Sequence, residues 1–100
     1  MEVLLRIRLD IKILDIANFK YPGAKYRIYL NDFMLTERFY PEDLISNEQL
    51  EENIFLILEK NYYEIIIENL TSNRIFITDV AVDNTVTQNI NAYSYSFEIQ

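Results

Sequence analysis

Apolar and polar residues alternate along most of this chain, and the alternation predicts strands. Val3, Leu5, Ile7, Leu9, Ile11 and Ile13 alternate with Arg6, Arg8, Asp10 and Lys12, the period of two expected of a strand with one buried face. Leu14 and Ile16 continue in the opposite phase. One extra residue flips every later side chain, so a bulge or bend is expected near Ile13-Leu14. Tyr21-Pro22-Gly23 has the order of a type II turn, with Gly supplying positive φ. Tyr26, Ile28 and Leu30 alternate with Arg27, Tyr29 and Asn31. Asn31-Asp32 offers a tight turn, and residues 33 to 40 return as the hairpin partner.

The centre of the pattern lies at residues 54 to 68. Ile54 to Leu58 are apolar without interruption, which predicts a strand covered on both faces. Beyond Glu59-Lys60-Asn61, Tyr63, Ile65 and Ile67 alternate with Glu64 and Glu68. Asn61 tolerates the left-handed conformation of a short loop. The expectation is a central β-hairpin on which the other strands pack. Ahead of it, Pro41-Glu42-Asp43 and the Ser46/Gln49 pair predict one short helical turn near residues 41–52.

After it, Asn69 to Arg74 reads as a polar turn. Ile75 and Ile77 share one phase while Val80 and Val82 take the other, so a second bulge is expected at Thr78-Asp79. Asp83-Asn84 ends that strand. Thr85 to Asn91 is polar, with Val86 and Ile90 as anchors. Tyr93, Tyr95, Phe97 and Ile99 alternate with Ser94, Ser96 and Glu98, which places Tyr93 and Tyr95 in the core. These seven or eight strands, with turn signals between them, predict an all-β chain. The expected fold is a small antiparallel β-sandwich, jelly-roll-like, in one domain over residues 1–100.

Composition narrows the chemistry. Fifteen Ile and eight Tyr suit a pleated surface, and ten Asn take the turn positions that one Gly and two Pro leave. The chain has no His and no Cys. That excludes disulfides, thiol nucleophiles, histidine bases and the usual zinc ligand sets. The net charge is −7. It divides into +2 over residues 1 to 38 (seven Lys/Arg, five Asp/Glu) and −9 over residues 39 to 100 (two against eleven). Such a balance argues against nucleic acid as a partner. It is compatible with two faces of opposite potential, although a plain acidic surface is the preferred reading. The charged N-terminus is not read as a signal peptide, and no apolar run reaches the roughly 20 residues of a membrane span.

Three kinds of site are worth testing. Glu37, Glu64 and Glu68 lie on strands and could form a carboxylate pair, but a glycosidase also needs a groove for the sugar, so no catalytic residue is assigned and the chain is not expected to be an enzyme. Asp79, Asp83 and Asn84, with Asn89 or Asn91, offer hard oxygen ligands for calcium. Turn-making accounts for the same residues, so no metal and no cofactor is assigned. Tyr29, Tyr40 and Tyr62 occupy outer positions and are the candidate interaction surface, with packing or a subunit contact preferred over glycan stacking. Asn69-Leu70-Thr71 matches a glycosylation sequon and is read as a chance match in a turn.

Two segments carry a resemblance. Residues 26 to 40, YRIYLNDFMLTERFY, form a strand, an Asn/Asp turn and a strand. Tyr63 to Asn69 and then Ile75 to Asn84 resemble the closing strands of the same layout. Together they are similar to β-sandwich carbohydrate-binding modules of the calcium-dependent, xylan-binding kind. They also resemble small virion structural proteins of marine tailed phages, particularly those of cyanobacteria. The Ile- and Asn-rich, Gly-poor usage is closer to the phage proteins. That resemblance implies a non-enzymatic virion component: a capsid decoration, neck or fibre-associated subunit. It implies other virion proteins as partners in an oligomeric assembly, and a virion location reached from the host cytoplasm. The alternative it carries is a carbohydrate-binding module with a glycan partner.

Overall fold

The computed structural model describes residues 1–12, 23–41, 49–71 and 74–100. They form nine strands: β1 (Glu2–Lys12), β2 (Gly23–Leu30), β3 (Phe33–Pro41), β4 (Leu50–Ile57), β5 (Asn61–Asn69), β6 (Arg74–Val82), β7 (Thr85–Val86), β8 (Gln88–Asn91) and β9 (Ser94–Ile99). Two antiparallel sheets pack face to face, one of four strands in the order β4-β1-β6-β7 and one of five in the order β3-β2-β5-β9-β8. The protein is an all-β sandwich. No helix occurs among the described residues, so none is long and apolar enough to cross a membrane.

Alternation in β1 builds the core. Val3, Leu5, Ile7, Leu9 and Ile11 are all buried, while Leu4, Arg6, Arg8 and Asp10 on the other face are half-buried. Tyr26 and Ile28 of β2, Ile65 and Ile67 of β5, and Tyr95 of β9 meet them from the five-stranded sheet. Burying a Leu or Ile side chain stabilises by about 1.5–3 kcal/mol. A one-residue slip of β1 would turn that whole set outward. The bulge at Thr78-Asp79 is present: Arg8 pairs with Asp79 and Leu9 with Ile77, so Thr78 is the extra residue. It lets Ile75 and Val80, of opposite phase, both reach the core.

The expected central hairpin is not formed. β4 pairs with β1, whereas β5 pairs with β2 and β9 in the other sheet. The link at Leu58–Lys60 carries the chain from one sheet to the other. Asn61 has no positive φ and begins β5, where its Oδ1 accepts a 2.8 Å hydrogen bond from the Tyr62 N–H. β4 is therefore an edge strand with one covered face, not a central strand with two.

Asn31-Asp32 does turn β2 into β3, with Asn31 at φ 53°. Asp83 and Asn84, at φ 50° and 65°, turn β6 into β7; two successive positive φ values suit the right-handed twist of the flanking strands. Three expectations are corrected. Gly23 has no positive φ and lies in a strand. Val86 and Ile90 are exposed edge residues rather than anchors, and Tyr93 is exposed while Tyr95 is buried. The expected bend at Ile13-Leu14, and Tyr21 and Pro22 of the expected turn, lie outside the described residues. So do residues 42–48 of the expected helical turn; on either side of them Pro41 closes β3 and Leu50–Glu52 open β4.

Candidate functional site

The sandwich has two long sides, and each is closed differently. On one side the edge strands β7 and β8 are joined through Thr87, whose hydroxyl donates to the Val80 carbonyl at 2.8 Å. On the other side lie the edge strands β3 and β4, and a polar cluster ties them together. Glu52 of β4 sits in the inward phase between Leu50 and Ile54 and is only 4% exposed. Its carboxylate accepts hydrogen bonds from the Tyr26 hydroxyl, the Tyr40 hydroxyl at 3.2 Å and Arg38 Nε at 3.0 Å. Tyr26 and Tyr40 stack with ring centroids 6.1 Å apart. A buried carboxylate persists only with a counter-charge and satisfied lone pairs, and all three partners here are donors. Burial first, then the hydrogen bond to Glu52, pushes the Tyr26 hydroxyl far above the usual tyrosine range. Burial raises Tyr40 as well, and the Glu52 carboxylate raises the Arg38 guanidinium. The cluster fastens one sheet to the other.

The outer faces carry rows of ion pairs. Arg27 of β2 lies between Glu37 of β3, at 2.8 Å, and Glu68 of β5, at 3.6 Å, and Lys25 reaches Glu37 at 2.9 Å. Hydrogen bonds from Arg27 and Lys25 hold the Glu37 carboxyl below its ordinary range. On the four-stranded sheet, Arg6 and Arg8 both approach Asp79, and Arg8 also meets Glu51 at 3.4 Å. Among the described residues, cations and acids thus interleave in single rows, Lys25 and Arg27 with Glu37 and Glu68 on one face and Arg6 and Arg8 with Asp79 and Glu51 on the other.

The candidate calcium donors are not brought together. Asp79 is engaged by Arg6 and Arg8, Asp83 Oδ1 accepts from the Leu4 N–H at 2.8 Å, and Asn84 Oδ1 accepts from Arg6. Asn89 and Asn91 lie on β8 in the other sheet. Among the described residues no group of three or more acids is placed to hold a metal ion. The carboxylate set fares similarly: Glu37 and Glu68 each face Arg27, and Glu64 lies further along β5, opposite Ser96. Asn69 of the sequon accepts from the Thr71 N–H at 3.0 Å.

The chain matches no family model, no curated protein and no solved structure.

The three candidate tyrosines fall in three places. Tyr29 is half-buried on the outer face of β2, opposite Met34 and Ile66. Tyr40 points inward and belongs to the Glu52 cluster. Tyr62 is 58% exposed. It borders a shallow depression of about 280 Å³, with Thr85, Thr87, Gln88, Phe97 and Glu98 among its lining.

The most exposed apolar surface of the described residues was not among the candidates. It lies on β4, where Phe55 is 71% and Ile57 86% exposed. Leu4 of β1 pairs with Phe55. The backbone of this strand is open on the same residues. Met1 and Leu58 exchange two backbone hydrogen bonds, at 2.9 and 2.8 Å. Residues facing each other in an antiparallel ladder alternate between bonded and non-bonded pairs. Counting back from Leu58, residues 56, 54, 52 and 50 therefore direct N–H and C=O to β1. Residues 57, 55, 53 and 51 direct theirs away from the sheet. The signal for this in the sequence was the apolar run itself: a five-residue run on a strand that buries one face must expose its alternate members.

Proposed function

We propose that this protein is a non-enzymatic interaction subunit acting through protein–protein contacts, and that its setting is a tailed-phage virion, as a capsid decoration, neck or fibre-associated subunit. One observation carries the first part. β4 presents Phe55 and Ile57 to solvent on a strand whose outer backbone edge has no partner strand among the described residues. Proteins usually blunt such edges, and an apolar open edge is a template for another chain. The virion setting rests on the resemblance of residues 26–40, 63–69 and 75–84 to small phage proteins. Density-gradient sedimentation of phage particles tests both parts. The expected result is co-sedimentation of the chain with particles, weakened by Phe55→Lys. A chain that stays at the top of the gradient overturns the virion setting.

A second reading has its own observation. The depression beside Tyr62 combines an exposed aromatic ring with Gln88, Glu98 and the Thr85 and Thr87 side chains, the mixture of stacking face and polar groups that holds a sugar ring. A glycan array with and without calcium tests it. Binding that disappears in Tyr62→Ala supports this reading, and an array with no ligand removes it.

A further inference from the structure

We propose that β4 pairs with β4 of a second copy of this chain, in antiparallel register about a two-fold axis at Leu56. The proposal rests on the reading of the β4 edge as a contact surface and names what fills it. Only residues 51, 53, 55 and 57 offer outward backbone groups, so a partner strand must bond to these. A two-fold axis at Leu56 sets Phe55 opposite Ile57 of the second copy and Ile57 opposite its Phe55. Both outer-face pairs are then apolar, and their backbones make the bonded pairs of the ladder. On the inner face, half-buried Leu56 meets Leu56 and Ile54 meets Leu58.

The five-residue apolar run is thereby matched to itself from end to end. Its flanks match too. Asn53, an amide donor, stands opposite exposed Glu59 of the second copy. The two neighbouring registers toward the N-terminus of β4 do worse. Centring on Ile54 sets Glu51 against Ile57 and Asn53 against Phe55. Centring on Phe55 sets Asn53 against Ile57 and Glu51 against Glu59. Like charges or polar–apolar pairs directly opposite are unfavourable across a ladder. The contact is isologous, so it closes at two copies and joins two four-stranded sheets into one of eight. Closure also removes the open edge that would otherwise recruit further chains.

The measurement is light scattering behind a sizing column on the intact chain, at up to about 100 μM, where even a micromolar dimer is populated. A mass of twice 12.0 kDa is expected. Ile57→Lys and Phe55→Lys are expected to run as monomers with the far-UV spectrum of the original chain, since both side chains point to solvent. The chain has no Cys, so a single introduced thiol reports the register. Leu56→Cys is expected to form an intermolecular disulfide under mild oxidation, because Cα atoms in a non-bonded antiparallel pair stand about 4.5 Å apart, within disulfide reach. Asn53→Cys is not, because six residues of offset separate it from its counterpart by about 20 Å. A monomer at the highest concentration overturns the proposal. The sedimentation experiment then decides independently whether the same edge docks on a different protein. A trimer or larger ring, a dimer that survives Ile57→Lys, or cross-linking at 53 in place of 56 overturns it as well.

Discussion

Arg38 on β3 and Glu52 on β4 form a 3.0 Å ion pair that joins the edge of one sheet to the edge of the other. The two ends of the pair differ. The Glu52 side chain is 5% exposed and the Arg38 side chain 44%. Glu52 thus needs its partners more than Arg38 does. The guanidinium is open to solvent, while the buried carboxylate accepts, among the described residues, from two tyrosine hydroxyls and the Arg38 Nε–H.

That asymmetry orders the effects of substitution at the seam. Glu52→Ala takes the charged acceptor from the buried Tyr26 hydroxyl and the counter-charge from Arg38, and is expected to cost about 2–4 kcal/mol. Tyr26→Phe removes one donor to a charged acceptor and is expected to cost about 1.5–3 kcal/mol. Tyr40→Phe removes a longer, half-buried bond and is expected to cost about 1 kcal/mol. Urea unfolding of the three variants checks the order. Equal losses at Glu52 and Tyr40 contradict it.

How much of this was legible in the sequence depends on which force acts at each position. β1 was legible because it buries one face completely, and burial writes itself as period two. Thr78 was legible for the same reason: the phase of the buried residues changes across it. The pairing of β4 was not legible, because neighbouring strands in sequence do not specify which sheet each joins. Ile54 to Leu58 looked like two-faced burial because exposed and buried apolar residues look alike in sequence. Glu52 did leave a trace. It falls in the same phase as Leu50, Ile54, Leu56 and Leu58, so a charge stood on the buried face of an otherwise apolar row. Its partner could not be read, since Arg38 comes from the other sheet. Tyr40, chosen as an outer residue, shares the inward phase of Arg38 and so points the other way.

Alkaline pH is expected to unfold the protein through its buried tyrosines. Tyr26, Tyr40 and Tyr95 all have raised folded-state values, with burial the first cause in each. In the unfolded chain they ionise at the ordinary value near 10.0. Below that pH neither state releases these protons, and the contribution to stability is fully present. Above it the unfolded state releases them first, and stability falls as pH rises. Ultraviolet titration of tyrosinate is expected to show Tyr26, Tyr40 and Tyr95 ionising only with loss of the far-UV signal. Tyr26→Phe is expected to make the fall shallower. A single smooth titration of all tyrosines in the folded state contradicts this.

The acid side works in the opposite sense at Glu37. Its folded-state value is lowered by hydrogen bonds from Arg27 and then Lys25. The contribution is present above the unfolded value, near 4.5, and is lost as pH falls through the lowered folded value. The row is solvent-exposed, so salt is expected to weaken it. Carboxyl resonances followed by NMR are expected to place Glu37 below the ordinary glutamate value, and Arg27→Gln is expected to move Glu37 upward. A Glu37 titration unchanged by Arg27→Gln rules out the ion pair as the cause.

Gly23→Ala is expected to destabilise the fold although Gly23 needs no special backbone angle. The residue lies in β2, where it pairs with Pro41 at the end of β3, and its φ is not positive. A Cβ at this position would collide with the carbonyl oxygen of Tyr40 and sit 3.0 Å from the Phe39 ring. The ring can rotate away, but the carbonyl belongs to the backbone of the neighbouring strand and cannot. Relief requires β2 and β3 to separate locally, two residues along β3 from Arg38 and beside the Tyr40 ring that stacks on Tyr26. A cost of about 1–3 kcal/mol is expected, the usual range for an added methyl in a packed site. The control is Gly23→Ser, whose Cβ meets the same oxygen and whose loss is expected to be equal or larger. Thermal melts followed by far-UV circular dichroism read both variants. An unchanged melting temperature in Gly23→Ala would show that the close approach of β2 to β3 at this point does not exist.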